Sequence, residues 1–153
     1  MPVITHDILI EGIRRDNVLE WLSDPAHHDR ILQGAFQSVQ SRGERQWELR
    51  LQAGPQSRIV GYEFLSVDDS HGGRRIRCST SGKRTAGSLN YSLRTVKPST
   101  NTMVTLHSDY NPGRLLGAML DVAVMRSALS ESWQAVLANL QREIQADQPT
   151  DPD

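Results

Sequence analysis

The sequence has 153 residues, a formal net charge of −1, a hydrophobic fraction of 37% and one cysteine. This length suits a single domain that buries a core without disulfides, and the charge gives no electrostatic basis for binding nucleic acid. One cysteine excludes an internal disulfide and a cysteine-based metal cluster. We find no signal-peptide pattern and no stretch as long as a membrane span, so we expect a cytoplasmic protein without stable membrane insertion.

The N-terminal segment predicts one strand and two short helices. Residues 3–11 are rich in isoleucine and valine and predict the strand. A helix over 17–22, with Asp16 as its expected cap, and a second helix over 25–32 follow. Asp24 is expected to cap the second helix, with Pro25 in its first position.

The segment from 35 to 110 changes to an alternation of apolar and polar residues, which is typical of strands. Trp47, Leu49 and Leu51 share one face of a clear example. Short turns with glycine and proline separate the strands, so we expect an antiparallel meander. The predicted strands cover 36–42, 45–53, 58–67, 74–80, 89–94 and 102–107.

One long amphipathic helix is predicted over 112–146, with Asn111 as cap and Pro112 in its first position. Its apolar residues recur at steps of three and four. Arg126 lies on this apolar stripe. After this single domain, 1–146, we expect residues 147–153 to form a disordered acidic tail.

A second apolar set on this helix points away from the stripe and must be covered on another side. We expect the cover to be the short helices, a gate toward a lipid surface, or a second subunit in a homodimer. The set consists of Leu116, Leu120, Ala123 and Val124.

This order of elements predicts an α+β fold. A single-layered sheet with one apolar face does not stay open in water, so twist and curvature would wrap it around the long helix. A curved sheet contacts a straight helix along only part of its length. The remaining space is the default ligand pocket.

The order also resembles the helix-grip fold of the START/Bet v-like superfamily, often called SRPBCC, over about residues 3–146. The segments that carry the resemblance are ITHDILIEGIRRDNVLEWLSDP, the turns around Gly54 and Gly72-Gly73, and GSLNYSLRTVKPSTNTMVTLHSDYNPGRLLGAML. They are similar to polyketide-cyclase-like and coenzyme-Q-binding-like members. The resemblance implies a seven-stranded curved antiparallel sheet around the C-terminal helix, with a cavity for a hydrophobic or amphipathic small molecule or lipid.

We expect eight residues to bind this ligand. Arg126 on the inner face would anchor a carboxylate or phosphate. Alternatively, its stem packs on the sheet and its head reaches an edge or an acidic partner. The expected set is Trp47, Tyr62, Tyr91, Leu93, Leu106, Met119, Val122 and Arg126.

Other reactive residue types give weaker patterns. Adjacent helical residues do not converge on one metal, so we expect His27 and His28 on the surface and no metal or other cofactor. Cys78 is expected to be a buried, inert thiol, and His107 to face outward. The basic residues Arg74, Arg75, Arg77, Lys83 and Arg84 are expected to form a solvated face.

Three functions remain open. The first is a carrier or sensor of a hydrophobic or amphipathic small molecule, and we expect this rather than an enzyme. The second is a cyclase/aromatase or dehydratase type of enzyme with Tyr62, Tyr91 or His107 as general acid or base. The third is a protein-interaction module. The first two predict a cavity of several hundred cubic ångströms, and the third predicts a cavity filled by side chains.

Overall fold

The computed structural model describes residues 2–69, 73–113 and 119–148, except for the side chains of 119–121. Within these ranges the predicted strands and helices are all present. In chain order they are β1 (Val3–Ile10), α1 (Arg15–Leu22), α2 (Pro25–Leu32), β2 (Ser38–Ser41), β3 (Gln46–Ala53), β4 (Gln56–Asp68), β5 (Arg75–Ser81), β6 (Gly87–Val96), β7 (Asn101–Tyr110) and α3 (Met119–Asp147).

The strands form one curved antiparallel sheet in the order β1-β7-β6-β5-β4-β3-β2. From β2 to β7 the order follows the chain, and β1 pairs with β7 at one edge. Helix α3 contacts β1, β3, β7 and α2. This arrangement confirms the predicted α+β architecture of a seven-stranded sheet around a long C-terminal helix. None of the described helices is both long and apolar enough to cross a membrane.

The alternation of side chains along the strands sets which face meets α3. In β3, Trp47, Leu49 and Leu51 are buried, as predicted, while their polar neighbours are more exposed. The pairing of β4 with β5 shifts between Phe64 and Ser66. Such a bulge bends the strand locally and increases its twist.

The two short helices begin with different caps. Asp24 caps α2, as predicted: its Oδ1 accepts a hydrogen bond of 3.0 Å from the Ala26 N–H, and Pro25 occupies the first turn. The cap predicted for the first helix is wrong, because α1 begins at Arg15 with Arg14 in the cap position. Asp16 instead lies in the first turn of α1, where its carboxylate interacts favourably with the helix dipole.

The predicted start of the long helix at Pro112 is also wrong. Gly113 has a left-handed φ of +79°, which a helix does not contain. The Asn111 Oδ1 accepts a hydrogen bond of 2.9 Å from the Gly113 N–H and so closes a turn. Residues 114–118, including Leu116, lie outside the described residues.

Asp147, which we assigned to the tail, is the last residue of α3. Its carboxylate accepts hydrogen bonds from the Arg30 guanidinium and from the Trp21 Nε1–H. The Arg30 hydrogen bond, then that of Trp21, lowers the pKa of Asp147 to about 2. These contacts tie the end of α3 to α1 and α2, so Asp147 belongs to the helix and not to the predicted tail. Residues 149–153 lie outside the described residues.

Asn139 fixes α2 against α3. Its Nδ2 donates hydrogen bonds of 2.9 Å to the carbonyl oxygens of Ile31 and Gln33. These carbonyls belong to the end of α2, where a helix leaves its last C=O groups without intrahelical partners. The Asn139 side chain therefore holds the helix that carries His28 in place.

We expect Asn139→Ala to lower the free energy of unfolding by about 1–2 kcal/mol, because two backbone acceptors lose their donor. Urea unfolding measures this change. Gln134→Ala, an exposed amide on the same helix, is the control and should change stability by less than about 0.5 kcal/mol. Equal effects of the two substitutions would contradict the role of Asn139.

Candidate functional site

Aromatic side chains fill the space between the sheet and the middle of α3. The Trp133 ring lies 5.2 Å from the Phe36 ring and 6.3 Å from the Tyr62 ring, between centroids. Trp47 stands 5.7 Å from Tyr62 and donates a hydrogen bond of 3.1 Å from its Nε1–H to Asp29. These contacts pack the rings against one another between the sheet and α3.

His28 is fully buried next to these rings, so its predicted surface position is wrong. Its Nε2 lies 2.8 Å from the carbonyl oxygen of Leu22, and its Nδ1 lies 2.7 Å from the Tyr62 hydroxyl. A carbonyl oxygen only accepts, so Nε2 carries the proton in the neutral ring. Nδ1 then accepts from the Tyr62 hydroxyl.

The direction of the remaining hydrogen bonds follows. Because the Tyr62 hydroxyl donates to His28, its oxygen accepts from Tyr91 at 2.9 Å and from the Cys78 thiol at 3.4 Å. We call His28, Tyr62, Cys78 and Tyr91 the polar cluster. Every polar atom that these four side chains bring to it has a partner. Cys78 is buried, as predicted.

Burial sets the protonation of the polar cluster. Desolvation lowers the pKa of His28 to about 4, so the imidazole is neutral at pH 7. It also raises the pKa of Cys78 to about 12 and that of both tyrosines well above the ordinary value. The polar cluster is therefore uncharged at neutral pH. Each donor hydrogen of the polar cluster is already used within the protein.

A pocket lies at the other end of α3, where the loops at one end of the sheet meet the helix. Its volume is about 190 Å³ and it opens at the surface. A Cβ on Gly54 would lie 3.1 Å from the Val124 side chain, so the turn between β3 and β4 meets α3 at the rim. The pocket, which we call the mouth pocket, is lined by Ala53, Pro55, Gln56, Arg58, Arg84, Tyr110, Pro112, Val122, Val124 and Met125.

Two polar atoms at the mouth pocket are buried without a hydrogen-bond partner. They are the Tyr110 hydroxyl and the Arg58 Nε. A buried polar atom without a partner costs free energy. Across the described residues only two further side-chain atoms, on Arg15 and Trp133, are buried without a partner. Because Tyr110 and Arg58 both line the mouth pocket, we take this pocket as the candidate binding site.

The predicted ligand-binding residues lie in different places. Val122 lines the mouth pocket. Tyr62 and Tyr91 belong to the polar cluster, while Trp47, Leu93 and Leu106 are buried core residues. The Met119 side chain lies outside the described residues.

The inner-face position predicted for Arg126 is wrong. The side chain is exposed, and its Nη2 donates a hydrogen bond of 2.8 Å to the Val3 carbonyl oxygen at the edge strand β1. This is the alternative in which the head reaches an edge of the sheet. His107 is exposed, as predicted.

Sequence reasoning missed Arg58, Arg84, Tyr110 and His28. Arg84 was counted with a solvated basic face, but it is half-buried and lines the mouth pocket, whereas Lys83 beside it is exposed. Arg58 has the same strand parity as the buried Val60 and Tyr62, which was an available signal for an inward position.

The neutral state of His28 predicts a pH dependence of stability. Its pKa is about 4 in the folded protein and 6.5 when unfolded, so the unfolded state binds more protons between these values. The contribution of the neutral His28 imidazole to the free energy of unfolding is complete above pH 6.5. It is lost as the pH falls toward 4, by about 3 kcal/mol in total. We expect urea unfolding of His28→Gln to lack this component, while His27→Gln keeps it. A variant at position 28 with the full wild-type pH dependence would contradict the assignment.

No protein-family model matches the chain, and no curated protein matches its sequence. Solved structures are similar in fold. Zhui aromatase/cyclase from Streptomyces sp. R1128 is 13% identical, with a TM-score of 0.70 over 97% of this chain and 96% of that chain. A protein from Thermus thermophilus is 15% identical, with a TM-score of 0.69 over 96% of this chain and 99% of that chain.

Norcoclaurine synthase from Thalictrum flavum is 14% identical, with a TM-score of 0.66 over 96% of this chain and 87% of that chain. These matches extend over nearly the whole chain. They agree with the element order, the curved antiparallel sheet and the helix that it surrounds. The chain therefore has the same helix-grip fold as these structures.

Proposed function

We propose that this protein is a carrier or sensor that binds a hydrophobic or amphipathic small molecule in the mouth pocket. The observation that carries the proposal is the pocket itself: an apolar wall of Ala53, Val122, Val124 and Met125 with an unpaired buried hydroxyl beside it. Ligand sites typically combine such a wall with a few polar groups. An interaction module predicts an interior filled by side chains and no pocket. Here the rings fill the space at the middle of α3, but the mouth pocket near Val122 stays open.

Binding fits the chemistry better than catalysis does. An enzyme of the cyclase or dehydratase type needs a titratable group that reaches its substrate. The buried His28, Tyr62 and Tyr91 hydrogen-bond to one another and are not among the residues that line the mouth pocket. Tyr110 does line it, but the described lining residues include no histidine, aspartate or glutamate that could act as a base beside it. The aromatase/cyclase and the norcoclaurine synthase share the fold, and their similarity carries no activity to this chain.

The size of the mouth pocket limits the ligand. Its 190 Å³ is smaller than the several hundred cubic ångströms that we expected from the sequence. Pockets for drug-sized ligands usually start at about 300 Å³. We therefore propose a ligand with a short chain or one small ring, part of which remains at the open side.

A substitution that fills the pocket tests this proposal. We expect Val122→Trp to abolish binding of the uncharged alcohol 1-octanol, because the indole occupies the space beside Met125. Calorimetric titration measures the affinity. Ala123→Trp is the matched control, because residue 123 is exposed one position along α3, and it should bind as the wild type does.

Circular dichroism and thermal unfolding of both variants establish that they are folded. Wild-type protein that does not bind 1-octanol would contradict the proposal. So would a Val122→Trp variant that binds it with unchanged affinity.

A further inference from the structure

We infer that the ligand of the mouth pocket carries an anionic head group, which Arg58 and Arg84 bind with the Tyr110 hydroxyl as an additional donor. This inference rests on the proposed function, since it names the class of molecule that the same pocket takes. The ligand is an amphiphile with a carboxylate or phosphate head and a short apolar body.

Arg58 is directed into the protein by the register of its strand. It pairs directly with Leu51 on β3, and cross-strand partners share one face of the sheet. Leu51 is buried, so the Arg58 side chain also starts from the inner face. The side chain is half-buried, and its Nε has neither water contact nor a hydrogen-bond partner.

Arg84 approaches the mouth pocket from the turn between β5 and β6. Its backbone has a left-handed φ of +66°. Thr85 stabilises the turn through two hydrogen bonds. The Thr85 hydroxyl donates to the Ser81 carbonyl oxygen at 3.2 Å, and the Thr85 carbonyl oxygen accepts from the Thr80 hydroxyl at 2.8 Å. A Cβ on Gly113 would lie 3.7 Å from the Arg84 Cγ, so the Arg84 stem crosses the rim beside that glycine.

Tyr110 supplies a further donor among the residues that line the mouth pocket. It is the last residue of β7, its side chain is 1% exposed, and its hydroxyl has no partner among the described residues. An anionic oxygen would accept from this hydroxyl and from the Arg58 Nε–H. Both buried groups would then be satisfied by one ligand atom or by two atoms of one head group.

The charge around the mouth pocket has one sign. The described residues that line it include two arginines and no aspartate or glutamate. Neither arginine forms a salt bridge within the described part of the chain. A guanidinium beside an apolar wall binds a carboxylate or phosphate through charge-assisted hydrogen bonds, which are stronger than those between neutral groups. An uncharged ligand would leave these donors unused.

Calorimetric titration with two ligands of equal chain length tests the head group. We expect the wild type to bind octanoate at least about tenfold more tightly than octanol, which corresponds to about 1.4 kcal/mol. We expect Arg58→Met to remove most of this difference, because methionine keeps an apolar stem and loses the charge. Arg84→Met should reduce the difference as well.

Arg50→Met is the control, since Arg50 is exposed on the neighbouring strand β3, and it should keep the wild-type preference for octanoate. Octyl phosphate distinguishes the two anionic heads by binding more or less tightly than octanoate. Equal affinities of the wild type for octanol and octanoate would overturn the inference and leave the proposed function intact. An equal loss of affinity for both ligands in Arg58→Met would do the same. If neither octanol nor octanoate binds, both the inference and the proposed function fail.

Discussion

The structure depends on how a straight helix meets a curved sheet. Contact is complete only along part of α3, and large buried side chains concentrate there: Trp133, Leu137, Leu140 and Ile144 are each no more than 1% exposed. The end of α3 is further tied to α1 and α2 through Asp147 and Asn139. Toward its beginning the helix meets loops rather than the middle of the sheet, and the mouth pocket opens between them. The geometry of the fold thus separates a packed interior from a binding site at one end.

The packed interior is unusual because it contains polar groups. Burying a hydroxyl or an imidazole costs free energy unless each donor and acceptor is paired. In the polar cluster Tyr91 and Cys78 donate to the Tyr62 hydroxyl, and this hydroxyl donates to His28. The His28 ring in turn donates to the Leu22 carbonyl oxygen. A network that is satisfied throughout specifies one arrangement of its members. It connects the sheet to α2, so we assign it a structural role. The mouth pocket has the opposite character, because two of its buried polar atoms lack partners.

Local patterns in the sequence predicted the elements, and failures arose where tertiary position decided the outcome. The alternation in β3 and the Asp24-Pro25 pair each depend on neighbouring residues, and both predictions were confirmed. The rule that adjacent helical residues diverge was sound for His27 and His28, but it did not indicate that one of them points into the core. The spacing of the apolar stripe predicted an inward position for Arg126, whereas its guanidinium donates to the Val3 carbonyl oxygen on the edge strand β1. The mouth pocket combines residues from two turns, three strand ends and a helix, and no local pattern brings such residues together.

The location of a bound ligand is the most direct test of this account. We would label the methyl groups of valine, leucine and methionine with ¹³C and titrate the protein with an uncharged short-chain alcohol. The account predicts chemical-shift changes at Val122, Val124 and Met125, which line the mouth pocket, and none at Leu93, which lies in the core. Changes centred on Leu93 and Leu106, with the mouth-pocket methyl groups unaffected, would contradict it and would place the ligand in the packed interior.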